Sequence, residues 1–403
     1  MTLNEKFKAI GAENAPGQEL RQKIDDLDTI MRGEKLEGIP VDFSHGDVDA
    51  FPPTPGSAEM WMKGYEMGAE QAYTQYRGSE TILQGLAYRL SAFTGREISA
   101  DVELIITPGT QGALFLALGA TVGQDTKVAI IEPDYFANRK IVKFLGGIGV
   151  PIPLTYKDIP SKNGPDLERL EAAFKNGTKV LVFSTPNNPT GVIYTKDTIN
   201  KIAMLAKIYN VTVIVDQLYS RLLYSGESYT HLRSCEIVPD NIITIMGPSK
   251  TESLSGFRLG VAFGSSELIE RMERLQAIVS LRASGYNQAV LRGWLQEPSG
   301  WLEERIIDHE TIRDDLLDVF RSAGIFTTTP QAGSYLFPQL PPLDISVELF
   351  VRLLRHQAGV TVTPGSEFGD NTNESVRLNF SQDHAAAVAA AKRIVTMVER
   401  YKR

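Results

Sequence analysis

The chain of 403 residues holds one cysteine, Cys235, five histidines and three tryptophans. A single cysteine excludes an intramolecular disulfide framework and fits a reducing compartment. In "HLRSCEIV" only His231 is near enough in sequence to serve Cys235 as a base, which is a poor setting for a nucleophile. Histidine and cysteine also show no zinc spacing, so no metal is expected. An excess of basic charge is missing too. There are 41 Lys and Arg against 49 Asp and Glu, a net charge of -8 that argues against nucleic acid or an acidic membrane as main partner. No apolar run approaches the ~18 residues of a membrane span, and "MTLNEKFKAIGAENAPG" lacks the apolar centre of a signal peptide. A cytoplasmic protein is expected. Neither G-x-G-x-x-G after the first strand nor G-x-x-x-x-G-K-[ST] occurs, which disfavours nucleotide binding of the two common kinds.

What is present is an ordinary globular composition, 42% hydrophobic and 22% charged, long enough for two domains with ample core. "QELRQKIDDLDTIMRGEK" has the pattern of an exposed helix, and "PVDFSHGDVDAFPPTPGS" that of an irregular segment. From about residue 80 to 265 apolar, β-branched runs alternate with helical patterns. The runs are Glu103–Thr107, Val128–Glu132, Lys179–Ser184, Val211–Asp216, Ile242–Met246 and Leu259–Phe263; "SETILQGLAYRLSAFTG" and "TKDTINKIAMLAKIYN" are two of the helices. Such alternation predicts an α/β domain with a mostly parallel sheet. Beyond about 300 a long charged helix, "WLEERIIDHETIRDDLLDVFRSAG", precedes short strands around "AGSYLFPQL" and "SVRLNF" and a final helix, which predicts a smaller α+β domain. The boundary is placed near 295, with the N-terminal segment packing on the small domain.

Polar motifs follow the strands: "TPGTQGA", "EPDYF", "STPNNPTG", "DQLY" and "GPSK". In open α/β sheets ligands gather at those carboxyl ends. Asp216 ends a buried strand, where an unpaired carboxylate is expensive, so it caps the next helix or meets a cation such as a protonated pyridine nitrogen. Tyr219 falls on the same turn. Asn188 offers an amide to a phenolate-like oxygen, although its prolines and glycine also suit a plain turn. Gly109, Thr110, Gln111 and Gly112 open a helix, a ready anion site once a phosphate is argued elsewhere. Lys250, in "GPSKTESLSGFRLG", is followed eight residues later by Arg258.

In this order, "NNPTG", "DQLY", "SKTESLSGFRLG" and "SVRLNFS" resemble the pyridoxal-phosphate enzymes of the class I/II aminotransferase group, the aspartate aminotransferase fold or fold type I. The resemblance extends from "SHGD" to "SVRLNFS". It implies a large domain over 49–294 with a mostly parallel seven-stranded sheet between helices. It further implies a small α+β domain over 295–403 and an N-terminal segment, 1–48, packed on the small domain. By the same resemblance Lys250 forms the Schiff base and moves protons, Asp216 partners the pyridine nitrogen, and Tyr219 and Asn188 donate to the ring hydroxyl. Arg258 clamps the cofactor phosphate with Ser249 and the backbone at Thr110 and Gln111, and Tyr135 stacks on the ring. Tyr73 falls where the family places a tyrosine that reaches the neighbouring subunit's phosphate, which implies a homodimer. Gly46 and Arg377 match the groups on the substrate α-carboxylate; an exposed strand arginine is the alternative for Arg377.

The implied reaction moves an amino group between an L-amino acid and a 2-oxo acid. A C–S β-lyase or an aminocyclopropane-carboxylate-synthase-like lyase uses the same residues and stays open as the alternative. A regulator carrying a winged-helix segment is disfavoured, since the stretch ahead of "SHGD" is too short for one. Gly247 stands where the family has a hydroxyl residue, and Glu252 stands two after the lysine, turned to solvent or shaping the substrate pocket. Arg282 is a candidate for a distal substrate carboxylate. Tyr335, Tyr76, Phe51 and Tyr286 are candidates for an aromatic-accepting pocket.

Overall fold

The computed structural model describes residues 2–11, 27–157 and 160–403. Residues 18–26, half of the helix expected over 18–35, lie outside the described residues; Leu27–Ile30 within it is helical. A short strand β1 (Val41–Asp42) precedes the main sheet. That sheet contains β2 (Leu104–Pro108), β3 (Lys127–Glu132), β4 (Ile148–Thr155), β5 (Gly164–Pro165), β6 (Val180–Ser184), β7 (Thr212–Asp216), β8 (Ile242–Met246) and β9 (Leu259–Gly264). Their order is β2-β9-β8-β7-β6-β3-β4-β5. The strands β4, β3, β6, β7 and β8 pair in parallel, while β9 runs antiparallel to both its neighbours.

The sheet therefore has eight strands rather than seven, because the two-residue β5 adds an antiparallel edge to β4. The pattern of β4 is hidden in the sequence by Pro151 and Pro153. Ile148 donates its N–H to Thr126 on the inner side, while the Pro153 carbonyl accepts from Asp166 on the outer side. The missing proline N–H groups thus fall away from β3, where they cost no ladder hydrogen bond.

Alternation along each strand feeds two cores, one on each face. Ala129, Ile131, Leu181, Phe183, Val213 and Val215 pack with the helix Lys196–Ile208. Val128, Ile130, Val180, Val182, Ile214 and Ile245 pack with the helix Gly109–Gly119. The helix Glu80–Thr94 belongs to a further cluster around Leu86, Leu259 and Trp294. A separate core joins Val41 and Phe43 to Leu316, Phe350, Ile394 and Tyr401, along the helices Trp301–Ser322, Val347–Ala358 and His384–Tyr401. There β10 (Tyr335–Leu336) and β12 (Thr363–Pro364) flank β13 (Val376–Asn379), and β1 pairs in parallel with β11 (Val360–Thr361).

One topological fact positions the site. The strands β3, β6, β7 and β8 end on the same side, and the antiparallel β9 begins there. Residues just before β9 therefore return to residues just after β8. Among the described residues no helix is long and apolar enough to cross a membrane, and no group of side chains is placed to hold a metal.

Candidate active site

A cavity of about 230 Å³ opens at those strand ends, with Lys250 on its wall. The turn Gly247–Ser249 leaves β8 and delivers Lys250, and no hydrogen bond or ion pair among the described residues engages its side chain. Arg258, one residue ahead of β9, comes back to the same wall. Its backbone is left-handed at φ 54°, a costly conformation for a residue with a Cβ. Its guanidinium lies against Gly109, where a Cβ would come within 2.6 Å of Nη2. Glycine at 109 is thus what lets the arginine reach the start of the helix Gly109–Gly119. That helix begins without a side-chain cap, so its first amides and its dipole add to the arginine's charge. Thr110, Gln111 and Ser249 line the same end, and the Ser249 hydroxyl has only a long bond to the Leu259 carbonyl, 3.4 Å. This end of the cavity is built for an anion.

Gly247 has a local explanation. A Cβ there would meet Thr110 Cγ2 at 2.8 Å and the Leu259 carbonyl at 3.2 Å. The threonine side chain occupies the room that a hydroxyl residue at 247 would need.

The opposite wall is acidic. Asp216 ends β7, accepts from the Leu218 N–H at 3.0 Å, and lines the cavity. Burial, with no cation beside it, pushes its carboxyl up to about 6. Asp134 lies behind, accepting from the backbone of Ser184 (2.8 Å) and Tyr135 (2.6 Å) and from the Ser184 hydroxyl. Burial raises it to about 8 against the pull of those donors. Ser184 Oγ in turn accepts from the Asn188 N–H at 3.1 Å. Asp134 and Ser184 escaped the sequence analysis. Yet Asp134 carries the signal used for Asp216, an ionisable residue just after a buried strand.

Arg377, on β13, is only 2% exposed. Its Nη1 donates to Asn188 Oδ1 and its Nη2 to the Ser44 carbonyl, both at 3.1 Å, while Nε has no partner. The rings of Tyr335 and Phe368 stand 4.4 and 4.8 Å from the guanidinium carbon. No carboxylate of the described residues meets it. A buried charge so placed is costly unless a counter-ion arrives. Tyr219 donates its hydroxyl to Tyr335 at 2.7 Å, and Tyr135 donates to Gln111 Oε1 at 2.9 Å.

Several candidates sit elsewhere. Tyr73 is 80% exposed and lines no part of the cavity; the Arg282 guanidinium lies 5.8 Å from its ring and 5.3 Å from that of Tyr76. Gly46 lies one residue beyond the lining residues Ser44 and His45, against Ser381. Phe51 lies tilted against His309 and Tyr286 meets Tyr65, so of the aromatic candidates only Tyr335 lines the cavity. Glu252 neither reaches solvent nor enters the pocket: it is buried and paired with Arg221. Cys235 approaches the carbonyl of His231 rather than its ring, which instead meets Gln217.

The donor set has a definite chemistry. An anion site of arginine and helix amides, an uncompensated carboxylate and an untethered lysine surround one small cavity. They fit pyridoxal phosphate, with its phosphate, its basic ring nitrogen and its carbonyl carbon. The family described as aminotransferase class I and II matches residues 41–394. The chain is similar to a crystal structure of an aspartate aminotransferase from Rhodobacter sphaeroides, at 58% identity and a TM-score of 0.95 over 100% of both chains. It is 26% identical to the aspartate/prephenate aminotransferase of Thermus thermophilus, over 98% of this chain and 97% of that one. It is also 26% identical to human kynurenine–oxoglutarate transaminase 3, over 80% of this chain and 75% of the relative.

Proposed function

The chain belongs to the class I and II aminotransferase family and is a pyridoxal-phosphate-dependent transaminase of the aspartate aminotransferase fold, and on that premise we propose how its residues divide the work. Arg258, Ser249 and the amides of Thr110 and Gln111 hold the cofactor phosphate. Asp216 faces the ring nitrogen, Asn188 and Tyr219 the ring oxygen, and Tyr135 the ring face. When bound, the cofactor supplies a ring that accepts negative charge from the substrate α-carbon. A cation opposite Asp216 would bring its carboxyl back down, so carboxylate and ring nitrogen would hold each other charged. Lys250 Nζ takes the α-proton and returns it, a role supported by its freedom from any counter-ion on the cavity wall. Arg377 grips the α-carboxylate by two parallel N–H bonds, beside Asn188 and the Gly46 backbone.

The observation that carries this reading is Arg377, a buried guanidinium bonded only to neutral oxygens and facing the lysine's cavity. For the amino donor we propose an acidic amino acid. The similar Rhodobacter sphaeroides protein is described as an aspartate aminotransferase, and Arg282 supplies a further cation beside Tyr73. Both residues act on the partner's site in a homodimer. Exposed Tyr73, Tyr76, Ile278 and Leu281 support such an interface. The division into 1–48, 49–294 and 295–403 is supported by the separate core around Phe43 and Phe350. Cys235, free and alone, supports a cytoplasmic setting.

The test is a single-turnover panel of the twenty amino acids, monitored by the loss of the cofactor's visible band, with ammonia and pyruvate assayed in parallel. Aspartate or glutamate should bleach the band fastest without ammonia. Release of ammonia would replace transfer with lyase chemistry, and a preference for aromatic substrates would overturn the acidic assignment.

A further inference from the structure

Tyr219 and Tyr335 form a buried pair of phenols, the hydroxyl of the first donating to that of the second at 2.7 Å, with the rings edge to face at 5.3 Å. Each phenol has one proton to give. While Tyr219 gives its proton to Tyr335, it cannot also donate to a ring oxygen. Were Tyr219 simply to turn its proton away, two oxygens would face each other with lone pairs alone. The contact survives only if Tyr335 turns its own proton back toward Tyr219.

The charged groups around Tyr335 are cations, which offer its proton no acceptor. Its ring carries the Arg377 guanidinium at 4.4 Å, and Lys250 also acts on it, both of them cations. Asn379 lies beside the hydroxyl and favours its ionised form, as a donor does, while its amide oxygen accepts from the Ser381 N–H at 3.0 Å. On the Tyr219 side stand Tyr335, Arg377 and Asp216, and Asp216 and Tyr335 also face Tyr135. The cations hold the Tyr335 hydroxyl below its ordinary range despite burial, while burial pushes Tyr219 well up. The more acidic phenol is the better donor once its neighbour becomes the acceptor.

We propose that Tyr335 is a positioning residue that acts through Tyr219. It accepts the Tyr219 hydrogen bond when that phenol has no other acceptor and returns one to Tyr219 when that phenol donates to the cofactor's ring oxygen. No bond beyond hydrogen bonds changes, and no proton is lost. This rests on the cofactor reading above. A donor behind Tyr219 polarises it and strengthens its own donation. The anionic ring oxygen is thereby stabilised, and the protonated chromophore gives up its proton at lower pH.

The experiment is a spectroscopic pH titration of the holoenzyme, compared with Tyr335→Phe, which keeps the ring under Arg377. The apparent pKa of the visible band should rise by roughly 0.3–1 unit, a two- to ten-fold change in proton affinity. Tyr219→Phe should raise it further, and adding Tyr335→Phe to that variant should change nothing more. An unmoved or lowered pKa in Tyr335→Phe overturns the proposal, as does an undiminished effect in the Tyr219→Phe background. A wild-type protein with no titrating band overturns the cofactor reading itself. Near-ultraviolet circular dichroism and cofactor affinity, measured on each variant, show whether the fold and the loading are kept.

Discussion

Arg377 and Arg221 are both buried, 2% and 9% exposed, and apart from the family resemblance that marks Arg377 their residue type alone would treat them alike. Arg221 is saturated with negative charge. It donates to both carboxylate oxygens of Glu297, at 2.8 and 2.7 Å, and to Glu252. Arg377 reaches only an amide and a backbone oxygen and leaves Nε unpaired. The first arrangement is complete in the folded chain. It ties down the segment after Lys250, with help from Thr54 on the Glu252 carbonyl and Arg305 on the Thr251 carbonyl and Ser253. The second lacks a carboxylate that a substrate can bring. A buried cation without its anion marks a binding site, whereas one with two anions marks a structural joint.

Swapping the two roles is the harshest trial of that comparison. Arg377→Ala should lower kcat/KM by about 10²–10³-fold, the cost of losing one partner of a buried charge-assisted pair. Its melting temperature should hold or rise, because an unpaired buried charge is gone. A stability loss as large as the activity loss would make Arg377 a structural residue after all. Arg221→Met should behave in the opposite way. Two carboxylates left buried without their cation should cost about 3–5 kcal/mol in denaturant unfolding, with activity per folded molecule retained.

A smaller effect separates the domains by pH. His309, in the helix Trp301–Ser322, is buried between the Arg305 carbonyl and Ser381, and burial holds it down to about 4. The unfolded chain takes up this proton near 6.5, so stability is lost as pH falls from about 6.5 to 4. His309→Gln should flatten that slope, by up to about 3 kcal/mol. Asp216 has the opposite sign in the cofactor-free protein. Held at about 6 against 3.8 unfolded, it favours the fold at low pH and loses that favour as pH rises between the two values. Asp216→Asn should remove the fall. Equal slopes in wild type and both variants would count against the burial assigned to these groups.

Much of the site was legible because it lies along one stretch of chain. Lys250 and Arg258 flank the turn between β8 and β9, and the reversal of β9 brings them to one wall. Asp216 and Asn188 follow strands whose apolar runs are unbroken. What escaped depends on contacts between distant segments. The partner of Glu252 is Arg221, thirty-one positions away in sequence, so its burial left no local pattern. Tyr335 pairs with Tyr219 across 116 positions, and the Thr110 side chain, from the start of another helix, explains Gly247 by direct contact. The strand β4 was hidden by prolines that only an outer edge tolerates. Tyr73 is exposed and lines no part of its own chain's cavity, and no pattern within one chain shows what it would meet.

The central claim is that Lys250 is the lysine joined to the cofactor. Purified holoenzyme is reduced with borohydride, digested, and the pyridoxyl group located by mass spectrometry. Loss of the yellow band and a single modified lysine at Lys250 are expected, with no label in Lys250→Ala. A label on another lysine, or an unlabelled protein that still transfers amino groups, would contradict it.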